Sequence, residues 1–220
     1  MLFSRCPSVS CIVWLFACVV LAAPQSPENA TDATVAFTVT WEQASPQFSR
    51  FEVASSGLAT YLSRDGKEDE QPYTENLTLK SATRRRIFEL AQQANYFNGS
   101  FDFTQHRIAQ TGVKTLAYHD GAHNYQTSYN WSENKAIDEL TRIFRSIGNT
   151  IEAGRRLDYL IRFDKLGLDK QLKGMEDAAA QGEMSEFDVI APALREIAFG
   201  SNYMHIAQER ARRLLKLANP

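Results

Sequence analysis

Along the first half of the chain, hydrophobic and polar positions change places with a period of two. From Ala36 to Trp41, Phe37, Val39 and Trp41 alternate with Thr38 and Thr40, the signature of a strand with one buried face. Phe51 to Ala54 and Leu58 to Leu62 predict two further short strands around the turn-forming Ser55-Ser56-Gly57. The charged run Arg64 to Glu70 reads as a turn, across which Tyr73 to Leu79 pairs back as a fourth strand. Behind Ser81 the period lengthens. Ile87, Leu90, Ala91, Ala94 and Phe97 recur at helical spacing, which predicts a helix over 82–96 that is capped by the Ser81 hydroxyl and packed on the sheet. Val113 to His119 and Ala122 to Trp131 then flank Asp120-Gly121. That dipeptide tolerates the positive φ angles of a two-residue hairpin turn, and the register it predicts sets Tyr118 opposite His123 and Leu116 opposite Tyr125.

After Trp131 the pattern is helical to the end. Ser132 is the expected cap of a helix with the stripe Ile137, Leu140, Phe144, Ile147 and Ile151, and Leu157, Leu160 and Ile161 continue it or open a second helix near Gly154. Gly167 and Gly182 act as helix stops around Leu172 and Met175. Ser185 with Asp188 resembles a capping box for a segment to Phe199, which Pro192 bends or restarts. The last helix, Tyr203 to Ala218, uses Met204, Ala207, Ala211, Leu214 and Leu215 as its apolar face. Strands followed by helices predict the α+β class: an antiparallel meander and hairpin packed by one helix over 35–131, then an all-helical region over 132–220. The order disfavours a dinucleotide fold, and neither a GxGxxG nor a P-loop string is present.

The beginning of the chain supplies an address. Arg5 precedes an apolar run from Cys11 to Ala22 that closes on small residues, so 1–22 reads as a signal peptide cleaved near Ala22. The polar stretch from Gln25 onward denies that run the length of a membrane span. Residues 23–34, with Pro24 and Pro27, read as a flexible linker. Cys6, Cys11 and Cys18 all fall in the leader, so the mature chain has no thiol for a disulfide, a nucleophile or a metal. An exported protein of this size without disulfides points to a bacterial source and a secreted or periplasmic location. On that reading the sequons at Asn29, Asn76, Asn98 and Asn130 carry no glycan; in a eukaryotic source they would be candidate sites. With 24 basic and 26 acidic residues the net charge is −2, and no nucleic-acid surface is implied.

Candidate chemistry is sparse. Asp102 and His106 would make the acid and base pair of a hydrolase if a loop brought them together, although no nucleophile motif accompanies them and a loop hydrogen bond is the plainer account. Arg84, Arg85 and Arg86 stand near a helix start, where the dipole is already positive, so they mark either an anionic surface, such as phosphate, a lipid headgroup or an acidic partner, or a solvated face. Tyr125, Tyr129 and Trp131 at even spacing would line an exposed sheet face that grips a peptide or glycan, or pack beneath a helix. His119 and His123 have the HxxxH spacing, but across a hairpin turn their rings point to opposite faces and one ion could not use both. His205 flanks the packed face of the last helix, and Arg210, Arg212, Arg213 and Lys216 suit a helix C-terminus. No cofactor and no metal site is expected.

The segments FEVASSGLATYLSRDGK and SATRRRIFELAQQANYF, followed by the Asp-Gly hairpin, resemble small secreted bacterial proteins of unknown function built from a β-meander and one helix. The resemblance covers about half the mature chain and brings no activity with it. The tail from Glu186 to Ala218 is similar to a single helical hairpin of the HEAT type, in which paired helices form a docking surface. Together these features lead us to expect an exported, non-enzymatic binding module that contacts another envelope protein, a peptide or a glycan. A carboxylate and His hydrolase, or an anionic-surface binder, is the alternative.

Overall fold

The structure, a computed structural model, describes residues 32–66 and 71–218. The leader, the linker up to residue 31, Asn29 and part of the charged turn lie outside the described residues. Six strands, β1 (Thr34–Thr40), β2 (Phe48–Ala54), β3 (Leu58–Arg64), β4 (Tyr73–Thr78), β5 (Val113–His119) and β6 (Asn124–Tyr129), form one sheet in the order β4-β3-β2-β1-β5-β6. Every neighbouring pair is antiparallel. The helices are α1 (Ser81–Gln93), α2 (Lys135–Phe163), α3 (Leu168–Ala180), α4 (Ala191–Phe199) and α5 (His205–Ala218). This is the α+β arrangement expected from the hydrophobic pattern, with an antiparallel sheet first and helices after it.

One sheet face is buried because its strands put Val35, Phe37, Phe51, Val53, Tyr61, Leu77, Leu116 and Tyr118 on the same side. α1 and the first half of α2 cover it. Phe144 of α2 wedges between Phe37, stacked at 5.0 Å, and Phe51 at 5.5 Å. A second core forms among the helices, where Leu157 and Leu160 of α2 meet Leu168, Leu172, Leu194, Ile197 and Leu214. α2 therefore belongs to both cores, and it runs through Gly154 without the break allowed for in the sequence. A Cβ at Gly154 would lie 2.3 Å from Ile190 Cγ2, so the missing side chain lets the segment before α4 seat against α2.

Several local expectations are corrected. β1 starts at Thr34, and Asp32 accepts a hydrogen bond from Ser55 Oγ, so the ordered fold takes in the last residues assigned to the linker. The Ser81 side chain makes no cap for α1. Instead the buried Glu186 carboxylate reaches the helix start, accepting from Lys80 N at 3.1 Å and from the Thr83 hydroxyl. A carboxylate against free amides at a helix N-terminus is favourable both as a hydrogen bond and with the dipole. α2 is capped by Asn134, whose Oδ1 accepts from Ala136 N and Ile137 N, while Ser132 accepts one step earlier from Asn134 N. Ser185 caps nothing: its hydroxyl bonds Ser146, and its amide donates to Thr150 Oγ1. Pro192 restarts the helix, sitting in the first turn of α4, where its missing N–H costs no hydrogen bond.

The hairpin register also differs. Tyr118 pairs with Tyr125 and Leu116 with Thr127, leaving Asp120, Gly121, Ala122 and His123 as a four-residue turn. Asp120 Oδ1 accepts from Ala122 N at 2.7 Å and from His123 N at 2.6 Å. That capture holds the turn open by two residues more than Asp-Gly alone suggested. The shift is even, so the residues that faced the core still face it.

Candidate functional site

The most elaborately held surface feature is the loop between α1 and β5, and Asn130 is its fastener. Asn130 follows β6 directly; its Oδ1 accepts from Thr111 N at 2.8 Å and Thr111 Oγ1 at 3.1 Å, and its Nδ2 donates to Ala109 O at 2.8 Å. Its backbone N–H donates to Asp102 Oδ1 at 2.8 Å, and one residue on, Phe103 N donates to Trp131 O at 2.9 Å. Beneath these bonds lies Lys114, only 5% exposed. Its ammonium donates to Asn130 O at 2.7 Å, Thr111 Oγ1 at 3.0 Å, and the carbonyls of Thr111 and Gly112 at 3.3 Å. Burial holds the Lys114 pKa below the ordinary lysine value; Arg145 adds to that effect and Asp102 opposes it. Gly112 completes the turn with φ +88°, and a Cβ there would lie 2.6 Å from Trp41 Cβ and 2.9 Å from Thr40 O.

This scaffold shapes an open cavity of about 340 Å³ lined by Phe103, His106, Ile108, Ala109, Thr111, Trp131 and Glu133. Trp131 leaves 45% of its surface exposed, an unusual state for the largest apolar side chain. Phe103 meets Trp131 edge to face at 5.0 Å and 79°, and it meets His106 at 4.7 Å and 83°. The result is an aromatic cup with Glu133 as its one acidic lining residue.

Three residues singled out in the sequence thus come together in one place, but with altered roles. Asp102 and His106 form no hydrogen bond with each other: the carboxylate is taken by the Asn130 amide, and the exposed imidazole lies against the Phe103 ring. The acid and base pair does not assemble. Trp131 lines the cup, whereas Tyr129 is buried with its hydroxyl 2.6 Å from Thr141 Oγ1, so Tyr125, Tyr129 and Trp131 do not share an exposed face. The cause is the orientation of β6, whose Thr127 and Tyr129 turn toward the helices.

Arg84, Arg85 and Arg86 are similarly dispersed. Arg84 donates to Ser56 O at 3.2 Å, and Arg86 forms a two-pronged pair with Glu139 at 2.7 and 2.6 Å, leaving Arg85 exposed. The Arg86 guanidinium in turn holds the Glu139 carboxyl below its usual pKa. His205 is exposed near Glu209, not packed.

An aspartate and histidine pair does form elsewhere, at the β5–β6 turn. Asp120 accepts from His123 Nδ1 at 3.1 Å and from Tyr118 OH at 3.1 Å. The backbone amides of Ala122 and His123 hold the Asp120 carboxyl well below the usual range, while burial pushes the Tyr118 phenol up to about 12. The His123 ring stacks on Tyr96 at 4.3 Å. Tyr96 lies in a run of three residues with positive φ, Asn95 at 51°, Tyr96 at 53° and Phe97 at 68°. A run of three such non-glycine residues is costly unless packing holds it, and the buried Phe97 and stacked Tyr96 supply that packing. Sequence reasoning missed Glu133, Asn130 and Lys114 as parts of a site. Lys114 left a trace: it shares the buried phase of β5 with Leu116 and Tyr118.

No family model and no curated protein matches this chain. Any function therefore rests on geometry. Among the described residues, no group of three or more His, Cys, Asp or Glu side chains is placed to hold a metal ion, and no helix is long and apolar enough to cross a membrane.

Proposed function

We propose that this protein is an exported bacterial binding module, secreted or periplasmic, that captures a ligand without chemistry at the cup of Phe103, His106 and Trp131. The address comes from the leader pattern and the cysteine-free mature sequence. The observation that carries the binding reading is the half-exposed indole of Trp131, held beside Phe103 by a hydrogen-bonded loop, with neither ring part of a hydrophobic core. A backbone cage around a buried ammonium is a costly way to shape a surface. It keeps apolar surface in contact with water, which favours any ligand that removes it. The volume, about 340 Å³, suits one small group.

The test uses the mature chain labelled with 5-fluorotryptophan, whose two indoles are Trp41 and Trp131, and a library of small soluble fragments. Fragments that move the Trp131 fluorine resonance while leaving Trp41 in place, with the effect lost in Trp131→Ala, support the reading. A library that moves neither resonance overturns it.

A further inference from the structure

The walls of the cup limit what it can hold. Phe103 stands nearly perpendicular to both Trp131 and His106, so the cavity is bounded by ring surfaces in more than one plane. Aromatic faces carry negative electrostatic potential, and indole carries the strongest among side chains. Ile108 and Ala109 complete an apolar lining, and Glu133 brings a carboxylate that makes no ion pair among the described residues. No lysine or arginine lines the cavity; Arg107, between His106 and Ile108 in the loop, is not part of the wall.

A cup with apolar walls, negative faces and one acid disfavours anions. It also disfavours a compact ammonium, which would have to give up strong hydration to enter. A cation whose charge is spread under methyl groups meets neither obstacle: its surface packs on the rings and Ile108, while its charge faces the indole and Glu133. Lys114 is the opposing consideration, because its ammonium lies behind the wall at Thr111. That charge is engaged by the carbonyls of Thr111, Gly112 and Asn130, and Asp102 stands close enough to offset its field.

We propose, resting on the binding reading above, that the cup receives a quaternary ammonium group. Such a group occurs in free solutes such as choline and glycine betaine, and in the phosphocholine headgroup of lipids.

The experiment is calorimetric titration of the mature protein with tetramethylammonium, choline, glycine betaine, N-acetylglucosamine and 3,3-dimethylbutan-1-ol, the uncharged carbon isostere of choline. Choline and tetramethylammonium should bind at least about tenfold more tightly than the isostere, the difference being the cation and ring attraction. Trp131→Ala should abolish the heat, Trp131→Phe should retain part of it, and Glu133→Gln should weaken choline about fivefold, with unchanged circular dichroism in each variant. Vesicles of phosphatidylcholine separate the two sources. Binding of the free solutes but not of vesicles assigns a solute, and retention on vesicles that excess choline competes away assigns the headgroup. If the isostere binds as well as choline, or only the sugar binds, the ammonium proposal falls and the binding reading stands. If no probe binds and no fragment moves Trp131, both fall.

Discussion

Asp102 and Asp120 stand four and three residues before a histidine, yet only Asp120 holds its histidine. Both carboxylates go first to backbone amides. Asp120 finds them two and three residues ahead in its own turn, and that local bend carries the His123 ring back onto the carboxylate. Asp102 finds its amide 28 residues away at Asn130, which ties the loop to the end of β6 and leaves His106 to the aromatic wall. A carboxylate paired locally builds a turn, and one paired across the fold builds a cavity. Spacing in the sequence does not separate the two cases, because unsatisfied amides compete with side chains for every acid.

The closure made across the fold carries the larger energies. Asn130→Ala removes three side-chain hydrogen bonds that close the loop, at roughly 1 kcal/mol each, so a loss of about 2–3 kcal/mol in urea unfolding is expected. Trypsin should then cut at Arg107 faster than at other sites. Lys114→Met should cost about 2 kcal/mol, since it leaves the carbonyls of Asn130, Thr111 and Gly112 without their donor. An equally stable Lys114→Met protein would show that the ammonium is not what shapes the loop.

The local turn should respond through pH. The folded-state pKa of Asp120 lies below that of the unfolded chain, so the unfolded form binds its proton more readily in acid. The stabilisation is fully present above the unfolded value of about 3.9 and is lost as pH falls through the lower folded value. Asp120→Asn should therefore be less stable than the parent at pH 7, and the gap in urea midpoints should narrow below about pH 4. A gap that is constant with pH would mean the amides are satisfied equally by the neutral side chain. The smallest effects belong to the imidazoles. His123→Ala should cost more than His106→Ala because it unstacks Tyr96, and His106→Ala should stay within about 0.5 kcal/mol of the parent.

The elements were legible where a buried face repeats. Phe37 and Val39 in β1, or Leu140, Phe144 and Ile147 in α2, announce their period because core burial acts on each in turn. Caps and registers were less legible, because several residues offer the same chemistry. Ser132 and Asn134 are both good caps, and only the path of the chain chooses Asn134. Glu186 could not be assigned to α1 at all, since 106 residues separate it from Lys80. For the cup, Asp102, His106 and Trp131 stood out as residue types, but their shared location depends on Asn130 and Lys114. The phase that Lys114 shares with Leu116 and Tyr118 was the available clue: a cation on the inward side of a strand must find oxygen atoms nearby.

Asn130 also opens an Asn-Trp-Ser acceptor, and its amide nitrogen is the atom a sugar transferase would modify. Transfer to the nascent polypeptide would place a bulky polar chain on the nitrogen that must later reach Ala109 O. Secretion through a host that glycosylated Asn130 would then crowd the nitrogen that closes the loop onto Ala109, while a host that leaves asparagines bare would keep that contact open. The choice of expression organism is thus itself a structural variable for this molecule.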